Sequence, residues 1–88
     1  MAEGHRLTVE LHVGADDGEA RKRLKRALRK AGARRVGSWW GLGGSQEISS
    51  ATFRIGGGRL TIEAETYIGL TVVGDEEAVA ALARHLRR

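Results

Sequence analysis

The residues of this 88-residue chain that are best suited to do chemistry are cations crowded into one segment. From Arg21 to Arg35 there are nine Lys or Arg residues and no acid. The rest of the chain contains the other 6 of the 15 Lys and Arg residues and all 11 acidic residues, so it is net acidic. Such a segment can bind phosphates, because each neutralised phosphate releases counterions and adds salt-dependent affinity. The residues expected to make these contacts are Arg21, Lys22, Lys25, Arg26, Arg29, Lys30, Arg34 and Arg35.

The same segment has a second interpretation, in which long Lys and Arg side chains on a solvated helix shield apolar edges. A helix that is merely solvated usually places Glu four residues from a cation to offset repulsion, and only Glu19 precedes the run here. The sequence leaves open both a solvated surface and an anionic partner.

Two aromatic residues form another candidate site. Trp39 and Tyr67 fall at strand positions expected on the sheet face away from the helices, and exposed aromatics are common anchors of protein interfaces. Glu10, Glu63 and Glu65 share that face and would repel phosphates, which disfavours binding of single-stranded nucleic acid there. We expect Trp39 and Tyr67 to serve a homodimer or another protein partner, through the sheet face or an unpaired edge strand.

Catalytic and metal sites are not expected. His5 and His12 point to opposite faces of one strand, and His85 falls in the last turn of a helix, where a cation is favourable. The glycines at 41–44 and 56–58 join strand to strand, whereas a phosphate cradle needs a glycine loop that enters a helix. Because the chain also lacks cysteine, we predict no metal, no cofactor and no enzyme activity.

Composition indicates a single domain over residues 1–88. No apolar run reaches the 18 or so residues of a membrane span, and the N-terminus does not resemble a signal peptide, so we expect a cytoplasmic protein without membrane contact. The chain has neither Pro nor Asn, a composition that a de novo designed chain would share. A natural and a designed origin both stay open.

Periodicity in the first half predicts a strand and then a helix. Apolar residues alternate from Leu7 to Val13, within a strand over 5–13. Asp16 or Asp17 then caps a helix that ends before Gly32, with an apolar stripe on one face and cations elsewhere. The stripe consists of Ala20, Leu24, Ala27, Leu28 and Ala31.

The second half predicts β-structure. One strand is expected over 36–42, and another over 46–55. The first strand is expected to direct one side towards the core and Trp39 to the other. The residues of that core side are Val36, Ser38, Trp40 and Leu42.

Alternation then continues from Leu60 to Val72, which favours one long strand bent near Gly69. The alternative is a hairpin that folds back around residues 67 and 68. We favour the single strand, because Ile68 is poorly suited to the positive φ of a two-residue turn. A last helix starts after Gly74, with acids in its first turn and cations in its last.

These elements predict an α+β two-layer sandwich, an antiparallel-rich curved sheet with both helices on one face. Its order is β-α-β-β-β-α, or β-α-β4-α if the long strand is split. The split order resembles the repeat unit of TATA-box-binding-protein-like folds, as does the strand 70–74 running into a helix with an acidic first turn. This resemblance implies a topology and no functional residues.

Small residues between sheet and helices raise the question of a ligand pocket. Gly37, Gly41, Ser49 and Ala51 lie near Trp40 and would either leave a cavity or let the sheet bend. The expected function is a non-catalytic scaffold or interaction module, of natural or designed origin. The alternative is a nucleic-acid-binding domain that uses residues 21–35.

Overall fold

The structure, a computed structural model, describes residues 7–15, 17–43, 46–65 and 68–86. These residues form five strands and two helices in an α+β two-layer arrangement, which confirms the predicted fold class. The elements are β1 (Thr8–Gly14), α1 (Gly18–Lys30), β2 (Arg34–Gly43), β3 (Gln46–Ile55), β4 (Gly58–Glu65), β5 (Gly69–Asp75) and α2 (Glu76–Leu86).

Local signals set both ends of α1. Asp17, one of the two predicted caps, accepts a hydrogen bond from the Ala20 N–H at 2.8 Å; Asp16 lies outside the described residues. At the other end Gly32 has φ +73° and donates to the Arg29 carbonyl, while the Ala33 N–H donates to the Leu28 carbonyl at 3.0 Å. This pair of bonds is a Schellman motif, which satisfies carbonyls that the helix leaves unpaired.

The strands form one antiparallel sheet in the order β1-β5-β4-β3-β2. The preference for a single long strand from Leu60 to Val72 is therefore wrong, because β4 ends at Glu65 and β5 returns beside it from Gly69. Ile68 does not supply the positive φ. Gly69 does, at +98°, and no described non-glycine residue has a positive φ. The order is the split alternative, β-α-β4-α.

Both helices cover the same face of the sheet. One core cluster joins Leu24 of α1 and Leu82 of α2 to Leu60 and Val72 of the sheet. α2 packs on β1, β3, β4 and β5, whereas α1 packs mainly against α2. α2 therefore covers more of the sheet than α1 does.

The edge strand β2 contains a bulge. Arg35 pairs with Phe53 and Gly37 with Thr52, so Val36 is an extra residue without a partner of its own in β3. The expected core position of Val36 is wrong, because the bulge breaks the alternation and the side chain is 51% exposed. Ser38 lies opposite Ala51 on the predicted side, facing the helices, but it is exposed and does not belong to the buried core.

Candidate binding surfaces

The cations of α1 all lie on its exposed surface. Leu24, Ala27 and Leu28 are buried, and each Lys and Arg of the helix is exposed. The residues concerned are Arg21, Lys22, Arg23, Lys25, Arg26, Arg29 and Lys30. The sequence thus separates α1 into an apolar face that joins the core and a cationic face that meets solvent.

Three of these cations form a row opposite the apolar stripe. Lys22, Arg26 and Arg29 are separated by four and three residues, so they lie on one side of the helix over about 10 Å of its length. We call these three residues the outer row. Since the only acid within α1 is Glu19, in its first turn, the outer row has no acidic neighbour within the helix beyond that turn.

The chain reversal after α1 divides the remaining cations between the two faces of the sheet. Arg35 lies opposite Phe53 and, with Arg21 and Lys25 of α1, borders the space between helix and sheet. Arg34 instead pairs with Arg54, which in turn pairs with Arg59. The predicted phosphate-contacting residues are therefore not one surface, since Arg34 lies on the opposite face of the sheet from α1.

The sheet face away from the helices carries mixed charges. The hydroxyls of Thr52 and Thr61 approach to 3.0 Å on this face, and alternation places Arg54 and Arg59 there too. Glu63 lies on the same face, opposite Thr71. Acids and cations thus occur on neighbouring strands, in contrast to the purely cationic face of α1.

Trp39 is an exposed aromatic residue of β2. Its side chain is 57% exposed, and its ring lies over Gly41, where an added Cβ would be only 2.6 Å from the ring. Glycine at 41 therefore gives the ring a flat backbone surface to rest on. Tyr67, the other predicted interface residue, lies outside the described residues, as do the side chains of Trp40 and Leu42.

A cleft of about 460 Å³ lies between α1 and the sheet. On the sheet side it is lined by small side chains, which are Ser38 from β2, Ser49 and Ala51 from β3, and Ala64 from β4. Its larger apolar lining comes from Leu24 and Leu28 of α1 and from Phe53, Ile62 and Leu70 of the sheet, and Trp39 and Ser50 also border it. The sequence left undecided whether a pocket lies between the sheet and the helices, and the structure shows a cleft there.

Two of the four small residues singled out in the sequence, Ser49 and Ala51, line this cleft, whereas Gly37 and Gly41 do not. Alternation along β2 after the bulge explains the difference, since Ser38 lies on the helix side of the strand and both glycines lie on the other side. Ser38 and Ala64 were missed as pocket residues. Alternation placed both on the core side, but only the register shows that they lie beside Ala51.

Among the residues that the structure describes, no group of three or more His, Asp or Glu side chains could hold a metal ion. No helix in the described ranges is both long enough and apolar enough to cross a membrane. Comparison of the chain with protein families, with curated proteins and with solved structures finds no match.

Proposed function

We propose that the protein is a non-catalytic interaction module that binds the phosphate backbone of nucleic acid through α1. The observation that carries this proposal is the outer row, three cations aligned on an exposed helix face that has no acid after its first turn. Arranging like charges at spacings of three and four residues costs helix stability. An anionic partner offsets that cost.

The chemistry of the outer row favours phosphate contacts over base recognition. Lys and Arg side chains neutralise phosphates and release counterions, a contribution that does not depend on base sequence. A helix with its side chains is about 10–12 Å across and fits the major groove of a duplex, which is about 12 Å wide. The expected complex is therefore salt-sensitive and largely indifferent to sequence.

A duplex fits the structure better than a single strand. Binding of single strands relies on aromatic rings on which bases stack. The β2 register places Trp39, an exposed aromatic residue at the border of the cleft, on the sheet face away from the helices, and Glu63 lies on that same face. A base stacked on Trp39 would bring its phosphates towards carboxylates, whereas a duplex on α1 meets only cations beyond the first turn.

The test is a titration of a fluorescent 20-base-pair duplex at several salt concentrations. The variant Lys22→Gln/Arg26→Gln/Arg29→Gln removes the outer row, and we expect the slope of log affinity against log salt to fall by about 2 to 3, since each phosphate contact contributes about 0.9. The matched control is Arg54→Gln/Arg59→Gln/Arg84→Gln, which removes three exposed cations elsewhere. Both variants lower the formal net charge from +4 to +1.

Two results would contradict the proposal. One is the absence of duplex binding at low salt, which would favour a scaffold with no such partner, including one of designed origin. The other is an equal loss of slope in both variants, which would mean that net charge and not α1 attracts the duplex. Polyglutamate competing as well as the duplex would point to an acidic protein partner instead. A nucleic-acid partner also fits the cytoplasmic location expected from the sequence.

A second candidate function is self-association through β2. This strand is an edge of the sheet, and it exposes both Val36 and Trp39. Edge strands with exposed apolar side chains are prone to pair with another chain. Under this candidate, sedimentation equilibrium shows a dimer that Trp39→Ser converts to a monomer, and a monomeric parent protein contradicts it.

A further inference from the structure

The cleft between α1 and the sheet has the properties of a ligand site. Because α2 packs directly on the sheet while α1 packs mainly on α2, a space remains between α1 and strands β2 to β4. Its volume of about 460 Å³ lies within the range of small-molecule sites, roughly 300–1,000 Å³. Arg21, Lys25 and Arg35 at its border are among the predicted phosphate contacts, but the site does not include the outer row, which carries the nucleic-acid proposal.

The interior of the cleft is mainly apolar. Leu24 and Leu28 form the helix side, and Phe53 and Ile62 contribute to the sheet side. The lining includes a few serine hydroxyls, Ser38 and Ser49 among them. Such walls offer water few hydrogen-bond partners, so replacing that water with hydrocarbon is favourable.

The charged residues that border the cleft are all cationic. Arg21, Lys25 and Arg35 belong to the lining and are exposed to solvent, and no acidic residue is among the lining residues. A ligand that enters between α1 and β2 therefore meets a cationic entrance and an apolar interior. A matching molecule has a hydrocarbon tail and one anionic head.

We propose that this cleft binds a linear fatty acid of about 10 to 12 carbons, with its carboxylate at Lys25 and Arg35 and its tail beneath α1. A group the size of a water molecule occupies roughly 30 Å³, so the cleft accommodates on the order of 15 non-hydrogen atoms. Dodecanoate has 14. Sugars and nucleotides fit poorly, because their many polar groups would lose hydrogen bonds to water against these walls.

The first test is isothermal titration calorimetry with hexanoate, octanoate, decanoate and dodecanoate, each below its micellar concentration. We expect the affinity to rise about fourfold per added methylene until the cleft is filled. Dodecanoate should bind more tightly than dodecanol, and dodecylammonium should bind more weakly than either. No binding of dodecanoate, or equal affinity for the anionic and cationic ligands, would overturn the proposal.

Two variants locate the tail. Ala51→Leu adds bulk to the floor of the cleft and should weaken dodecanoate binding at least tenfold. Ala80→Leu makes the same substitution at an exposed position of α2 and should leave binding unchanged. Circular dichroism establishes that both variants are folded. Unchanged binding by folded Ala51→Leu would overturn the proposal.

A third variant locates the carboxylate and does not depend on the core. Lys25→Gln/Arg35→Gln changes two exposed residues and should weaken dodecanoate binding about tenfold while leaving dodecanol binding unchanged. An equal loss for both ligands would overturn the assigned role of these cations. The outer-row variant should still bind dodecanoate, so this proposal and the nucleic-acid proposal can fail separately.

Discussion

The carboxylate of Asp75 accepts a hydrogen bond from the backbone N–H of Arg59 at 2.9 Å, across 16 residues of sequence. Asp75 ends β5 immediately before α2, and Arg59 is the second residue of β4. On the other side, the Glu76 N–H donates to the Leu7 carbonyl at 2.9 Å. The start of the helix that covers most of the sheet is therefore anchored to both β4 and the segment that enters β1.

We expect Asp75→Ala to lower the free energy of unfolding by about 1–3 kcal/mol, because it leaves the Arg59 N–H without this acceptor. Asp75→Asn retains a side-chain oxygen and should cost less than half as much. Urea denaturation measures both. Glu77→Ala removes an exposed carboxylate from the same helix turn and controls for charge. Equal losses for Asn and Ala would show that the charge, and not the acceptor, is what matters.

Gly69→Ala should destabilise the protein by at least about 2 kcal/mol. Its φ of +98° is unfavourable for an L residue, and an added Cβ would collide with the Gly14 carbonyl oxygen across the β1–β5 pair. Gly18→Ala is the control, because Gly18 begins α1 with open space around it, and we expect it to stabilise by about 0.5–1 kcal/mol. Similar melting temperatures for the two variants would contradict this account of the β4–β5 hairpin.

Leu82→Ala and Leu28→Ala make the same change on different helices and should differ in cost. Leu82 is fully buried at 0% exposure, so its truncation should cost about 2–5 kcal/mol. Leu28 borders the cleft and already lacks packing partners on that side, so we expect about half that loss. Urea denaturation compares the two. A greater loss at Leu28 would mean that the cleft is closed in solution.

Arg26→Glu should make the protein more stable and weaken duplex binding. The new carboxylate would lie four residues from both Lys22 and Lys30, which replaces two repulsions by two attractions worth about 0.3–0.5 kcal/mol each. Thermal unfolding at low salt should show the gain, and 1 M salt should remove most of it. Destabilisation at low salt would contradict the view that α1 carries unrelieved repulsion between its cations.

Patterns over short stretches of sequence predicted most of the elements correctly. The Asp17 cap, the stripe of α1 and the Gly32 terminus each depend on residues within four positions of one another, and all are present. The cationic character of α1 also follows from periodicity alone. The predictions made from alternation were wrong at two irregularities, the bulge at Val36 and the turn before Gly69. Both irregularities reverse or shift the chain without interrupting the apolar pattern.

What the sequence by itself determined is therefore the set of elements, the two-layer class and the concentration of cations in one helix, because each depends on near neighbours. Only the tertiary structure decided the strand order, the separation of Arg34 from Arg35 and the space beneath α1. These depend on which distant residues pair across the sheet and on how closely each helix approaches it. The cationic face of α1 was thus predictable from the sequence, whereas the exclusion of Arg34 from that face and the size and lining of the cleft were not.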